Sequence, residues 1–262
     1  MTILEAILLA ILQGVTDFLP ISTSGHLLLF QRIFGHEEGR LTFIIVLHAA
    51  TLIPVLFVYY NRIRSMVKNP FQKMTLLLIL GTVPTVIAAL VFGDFIETLF
   101  TGNFLPLGFL ITATILFITD RQKQGTKNTD EITRKDALCV GLAQAFAIMP
   151  GVSRSGSTIA AGVARGVDRE SAANFSFLLS IPATIGAVTL ELRHVLVGQT
   201  EMEFMISLPV VIGFFVAMIA CYISIKVMLK IVVAGKLRYF SYYLVLLAVL
   251  ILIDQNVTHI VF

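Results

Sequence analysis

Charge is scarce in this sequence. Aspartate, glutamate, lysine and arginine make up 13% of its 262 residues, where soluble domains run about 25%. With 57% hydrophobic residues and a mean hydropathy of +0.91, that scarcity excludes an ordinary soluble domain and implies an integral membrane protein. Cysteine is scarce too. Cys139 and Cys221 both fall in apolar segments. Two such residues make neither a disulfide framework nor a metal site, and they read as small apolar fillers. No basic stretch interleaved with aromatics stands outside the apolar runs, which excludes nucleic acid as a partner. No Walker segment, Gly-x-Gly-x-x-Gly or His-Glu-x-x-His occurs, which argues against nucleotide and zincin chemistry. The first apolar run lacks a basic flank, has Glu5 in its place, and is followed by no small-residue cleavage site. It reads as retained structure, not a signal peptide.

What is present is apolar sequence in blocks. A spanning helix needs about 20 apolar residues. Six stretches meet or approach that length: 41–60, 74–92, 103–119, 170–192, 205–227 and 238–260. Two further regions are interrupted. Residues 3–19 run into Pro20 to Gly25 and then a short apolar segment; residues 136–148 run into Met149 to Gly156 and then another. Irregular backbone at membrane depth is tolerated only where protein or a wet cavity surrounds it, so each break predicts a re-entrant helical hairpin. The breaks also match: "QGVTDFLPISTSG" and "QAFAIMPGVSRSG" align Gln13 with Gln144, Ser22 with Ser153, Ser24 with Ser155 and Gly25 with Gly156, at an interval of half the chain. That predicts a duplication. The expected fold is an all-α integral membrane protein of one domain, 1–262, with six transmembrane helices and two re-entrant hairpins. Repeat 1 covers about 1–131 and repeat 2 about 132–262. Three spans per half is an odd number, so the repeats are inverted.

Basic residues set the orientation. One set of loops holds Arg62, Arg64, Lys68, Lys73, Arg121, Lys123, Lys127, Arg134, Lys135, Arg165, Arg169, Lys226, Lys230, Lys236 and Arg238; the other holds only Arg32, Arg40 and Arg193. The crowded side is expected to be cytoplasmic. Both termini and the loops near 35–40, 93–102 and 193–204 are then outside. Arg154 is left alone at depth.

An intramembrane charge marks function by default. Arg154 offers a donor fork suited to phosphate oxygens. Gly151 and Gly156 allow close backbone approach, Ser153 and Ser155 add hydroxyls, and Ser157 and Thr158 are expected to open a helix whose N–H groups favour an anion. The first break supplies Asp17, the hydroxyls of Ser22, Thr23 and Ser24, and then His26. Gln13 precedes Asp17 by one turn, on the same face. Asp17 is a candidate cation ligand or base, His26 a candidate acid or base, and a hydroxyl beside them a candidate nucleophile. His48, in mid-span, could face the site, with a hydrogen-bonded core histidine the stronger expectation. Asn174 is expected to bond between helices. Asp94, Glu97, Glu191, Asp254 and His259 are expected at solvated interfaces.

The segments "QGVTDFLPISTSGH" and "PGVSRSGST" resemble the two signatures of the undecaprenyl-diphosphatase family of the bacitracin-resistance type. Length, hydropathy order and "FSFLLSIPATIGA" extend the resemblance over nearly the whole chain. It implies a multi-pass enzyme of the bacterial cytoplasmic membrane. Such an enzyme hydrolyses undecaprenyl diphosphate to undecaprenyl phosphate and inorganic phosphate, which recycles the carrier for peptidoglycan. It further implies a polyprenyl diphosphate lipid as partner, a site open to the periplasmic side, and a divalent cation, Mg or Ca, with a homo-oligomer as an option. Carried over by residue, the resemblance puts Asp17 and Gln13 at the metal. His26, Thr23, Ser22, Asp17 and Arg154 become catalytic; Arg154, Ser153, Ser155, Gly151 and Ser24 bind phosphate. Gln13 stands where many members have Glu, Asp17 where Glu is usual, and Thr23 at a serine proposed as nucleophile. The alternative is a transporter or flippase that binds a polyprenyl phosphate or another anion without cleaving it, since broken helices at the midplane also build transporters.

Overall fold

The computed structural model describes residues 1–34, 40–194 and 207–262. Among them the chain is helical and has no strand beyond an isolated bridge between Lys127 and Val167. The helices are α1 Ile3–Thr16, α2 Thr23–Phe34, α3 Arg40–Val58, α4 Tyr60–Lys68, α5 Lys73–Leu99, α6 Leu105–Arg121, α7 Arg134–Phe146, α8 Arg154–Ala164, α9 Arg169–His194, α10 Leu208–Val233 and α11 Arg238–Ile253. The loops expected near 35–40 and 193–204 lie largely outside the described residues, as do the side chains of Arg40, Glu191 and Arg193.

This is an all-α membrane protein. Four elements are long and apolar enough to cross a bilayer: α5, α9, α10, and α11 with its extension to Thr258. The expected span 41–60 is α3, which turns by 84° into α4 and counts as a fifth if the bent pair is one span. The bend falls at Tyr59, which leaves the helical region at φ −101° and ψ 16°. Its hydroxyl donates to Asn174 Oδ1 on α9 at 2.8 Å, the interhelical bond expected of Asn174. The expected span 103–119 is the 17-residue α6. Pro106 starts it and extended backbone at Gln122 stops it, so the helix is offset from the expected run by two residues at each end.

The two interrupted regions fold as helix, break, helix: α1 and α2 around residues 17–22, α7 and α8 around 147–153. The starts of α1 and α7, α2 and α8, α3 and α9, α5 and α10, and α6 and α11 lie 131, 131, 129, 135 and 133 residues apart. α1 packs along α10, and α7 along α5, so each short helix leans on a long helix of the other half. A larger core gathers Phe109, Leu116, Phe175, Phe177 and Leu178; a smaller one joins Ala6, Leu9 and Ala10 to Phe43, Leu47 and Ala217. Outward faces carry Ile79 and Leu90 on α5 and Ile219 and Ile223 on α10, all more than half exposed. An apolar surface of that extent is a liability in water and is satisfied by lipid.

The basic end is tied by Asp136. Its buried carboxylate accepts from the Thr133 N–H at 3.0 Å, the Thr133 hydroxyl at 2.8 Å, Arg165 Nε at 2.9 Å and Lys127 Nζ at 3.2 Å. Burial pushes its pKa upward. The four donors outweigh that and hold it below the usual carboxylate range. The cluster fastens the segment before α7 to the end of α8. Cys139 and Cys221 are free thiols.

Candidate active site

The matching Ser-x-Ser-Gly segments are matching helix caps. In the second break Ser153 is the N-cap of α8, and its Oγ accepts from the Gly156 N–H at 3.1 Å. In the first, Ser22 Oγ accepts from the Gly25 N–H at 3.3 Å. The hydroxyls of Ser22 and Ser24 lie 3.3 Å apart, as do those of Ser153 and Ser155. Serine caps because its short side chain reaches an N–H that the first helical turn leaves unbonded. α8 therefore begins at Arg154, not at Ser157 and Thr158. The Ser157 N–H is already bonded to the Ser153 carbonyl at 2.9 Å. The uncommitted donors of α8 among the described residues are the N–H groups of Arg154 and Ser155. Ser22 sits at φ 68°, a strained conformation for a residue with a side chain.

Both caps open onto one cavity of about 620 Å³. Ser22, Thr23 and Ser24 line it from the first break, Ser153, Arg154 and Ser155 from the second, with Asp17, Thr184 and His48. The far wall is apolar: Val86, Ala89 and Leu90 of α5, Ala183 and Ala187 of α9, and Ile148. Arg154 Nη2 donates to Asp17 Oδ1 at 2.9 Å, and Nη1 to Thr184 Oγ1 at 3.3 Å. The Arg154 side chain is 24% exposed and that of Asp17 is 8%. Ser155 Oγ donates to the Leu19 carbonyl at 3.2 Å, so the two breaks are stitched at two points. Two helix N-termini and a guanidinium facing one space favour negative charge there.

Three of the residues singled out from sequence are placed outside the cavity lining. His26 is buried with both ring nitrogens engaged: Nδ1 with the Ser22 carbonyl at 2.8 Å, Nε2 with the Tyr243 hydroxyl of α11 at 2.7 Å. A carbonyl only accepts, so Nδ1 carries the proton and Nε2 accepts from tyrosine. Gly151 is at φ 83°, and its close approach is to α6: a Cβ there would lie 2.8 Å from the Leu105 carbonyl oxygen. The segment is locked by Thr112, which donates to the Gly151 carbonyl at 2.9 Å and accepts from the Ser153 N–H at 2.9 Å. Gln13 is fully buried, and both its amide atoms lack a partner among the described residues.

Two lining residues were underrated. His48 was expected in the core; it borders the cavity, with a buried Nδ1 that has no partner among the described residues. Gln144 also borders it, donating to Thr85 Oγ1 at 3.0 Å. The available signal was the general rule that ionisable residues inside apolar spans are functional.

In class, this is an all-helical membrane protein in which two capped helix breaks and one half-buried arginine share a cavity with an apolar wall. The chain belongs to the family described as bacitracin resistance protein BacA, whose model matches residues 6–250. It is 46% identical over 252 residues to an undecaprenyl-diphosphatase of Carboxydothermus hydrogenoformans, covering 96% of this chain and 97% of the relative. It is 44% identical over 253 residues to undecaprenyl-diphosphatase 3 of Bacillus cereus, with coverage of 96% and 97%. It is 35% identical over 274 residues to an undecaprenyl-diphosphatase of Methanosphaera stadtmanae, again covering 96% and 97%.

Proposed function

We propose that this protein hydrolyses undecaprenyl diphosphate to undecaprenyl phosphate and inorganic phosphate and so recycles the lipid carrier of cell-wall synthesis. The observation that carries the proposal is the cavity: Arg154 and two helix N-termini on one side, Val86, Ala89 and Leu90 on the other. A polyprenyl diphosphate is polar at one end and apolar at the other, and it fits that division. Arg154, Ser153, Ser155 and Ser24 hold the diphosphate, and Gly151 fixes the turn that presents them. Ser22 Oγ is committed to capping, whereas Thr23 Oγ1 has no partner among the described residues. The Thr23 oxygen is therefore the nucleophile, or it orients the water that is. Attack on the terminal phosphorus forms a new P–O bond as the bridging P–O bond breaks, and undecaprenyl phosphate leaves. The proton of the attacking hydroxyl or water passes to Asp17. Where Thr23 itself attacks, water then hydrolyses the phosphothreonine to inorganic phosphate and frees the hydroxyl. His26, through the Ser22 carbonyl, holds the strained turn that aims Thr23.

Asp17 and Gln13 are the groups that would hold a divalent cation, Mg or Ca. Gln13 supports the fit, because its buried amide has no hydrogen-bond partner among the described residues. A hard cation takes oxygen ligands and commonly combines one or two carboxylates with substrate phosphates. When bound, it supplies charge neutralisation on the diphosphate. The near-constant interval between corresponding helices supports two repeats, and the basic loops support their inversion. On that topology the site opens to the outer side of a bacterial inner membrane.

The test is phosphate release from undecaprenyl diphosphate by purified protein in detergent, with Mg, with Ca and with chelator. Release that depends on the cation and is lost in Arg154→Ala is the expected result. Lipid binding without release by stable protein favours the transport alternative. Light scattering on the same preparation reads whether copies associate.

A further inference from the structure

His48 is the titratable residue in the cavity that the proposed mechanism leaves unused. From Leu41 to Val58 no other residue of α3 is ionisable. The ionisable groups lining the cavity are Asp17, Arg154 and His48. The first two are paired at 2.9 Å. His48 pairs with neither: its Nδ1 is buried without a partner among the described residues, and no described group hydrogen-bonds its ring. An unpartnered polar atom in an apolar span is costly, and a turn of the ring that brings a nitrogen to a ligand oxygen in the cavity removes the cost. The contrast with His26, whose two nitrogens are both engaged, is direct. In this structure both His26 nitrogens have partners, and the His48 ring has none among the described residues.

We propose that His48 is a substrate-contacting residue, a neutral imidazole that donates a hydrogen bond to the bound diphosphate. The proposal rests on the phosphatase reading and adds a ligand to it from α3, outside both signature segments. A contact to a charged oxygen that persists from bound substrate to transition state changes KM more than kcat.

Three variants separate binding from packing. His48→Phe keeps ring volume and removes every donor. His48→Asn retains a donor near the Nδ1 position, and His48→Gln one near Nε2. Phosphate release from undecaprenyl diphosphate is expected to show KM raised roughly 10–100-fold in His48→Phe, with kcat changed less. At least one amide variant should return to within about threefold of wild type. A packing role predicts the reverse order, since Phe suits an apolar site better than an amide. Wild-type KM in His48→Phe, or equal damage in all three, overturns the proposal. A second measurement does not need turnover. Diethyl pyrocarbonate should label His48 in the wild-type protein, and undecaprenyl phosphate should shield it. Labelling that the lipid leaves unchanged overturns the contact. Absent phosphate release with intact shielding overturns the phosphatase reading and keeps His48 at the lipid.

Discussion

Arg154→Lys keeps the charge and removes the geometry. The guanidinium has five N–H donors. One goes to Asp17 and one to Thr184, which leaves three for phosphate oxygens. A lysine ammonium has three donors in all. If it preserves the same two contacts, one remains. Two charge-assisted hydrogen bonds are lost, each worth about 1.5–3 kcal/mol. Together that is about 3–6 kcal/mol, or roughly 10²–10⁴-fold in kcat/KM. Stability should behave differently. The ammonium still faces Asp17, so the buried carboxylate keeps a counter-charge, and the Tm in detergent should move by only a few degrees. Arg154→Ala is the contrast. It strands an 8%-exposed carboxylate, and Tm should fall along with activity. The assay is phosphate release against substrate concentration, with thermal unfolding of the same preparations. A lysine variant within about threefold of wild-type kcat/KM would show that Arg154 acts as a point charge. The donor-count reasoning would then be wrong.

Gly151→Ala should lower Tm. Its φ of 83° and a carbonyl 2.8 Å from the added Cβ impose strain of about 1–3 kcal/mol, and unchanged thermal unfolding would refute the lock against α6. Tyr243→Phe removes one neutral bond to His26 and should cut kcat by roughly 2–10-fold with KM little changed; a wild-type rate would sever α11 from the site. Asp136→Asn tests the basic end. The carboxylate's folded pKa is depressed, so its stabilisation is complete above its unfolded value near 3.9 and is lost as pH falls toward the folded one. Tm of the Asn variant should therefore lie below wild type at pH 7, with the gap closing below about pH 4. A gap independent of pH would assign the effect to packing.

Local signals were legible, and signals that depend on a neighbour were not. Both helix breaks could be read because proline, glycine and serine interrupt apolar runs within a few residues. The match between them could be read because a serine cap needs the same residues wherever a helix starts. Hydropathy also placed spans: the expected 103–119 and 41–60 end within two residues of α6 and α3. It does not register that the chain turns by 84° at Tyr59 into α4, where the hydrogen-bond partner, Asn174, lies 115 residues away.

The histidines make the same point at the site. His26 looked reactive because it follows three hydroxyls in sequence. Its Nε2 is bonded to Tyr243, 217 residues away, on a helix that sequence gives no reason to place beside it. His48 read more readily as core because its neighbours in sequence are apolar. It lines the same cavity as Asp17, Thr23 and Arg154. Adjacency along the chain sets where an imidazole begins. The element packed against it sets whether its nitrogens already have partners: the His26 nitrogens do, and the His48 Nδ1 on α3 has none among the described residues.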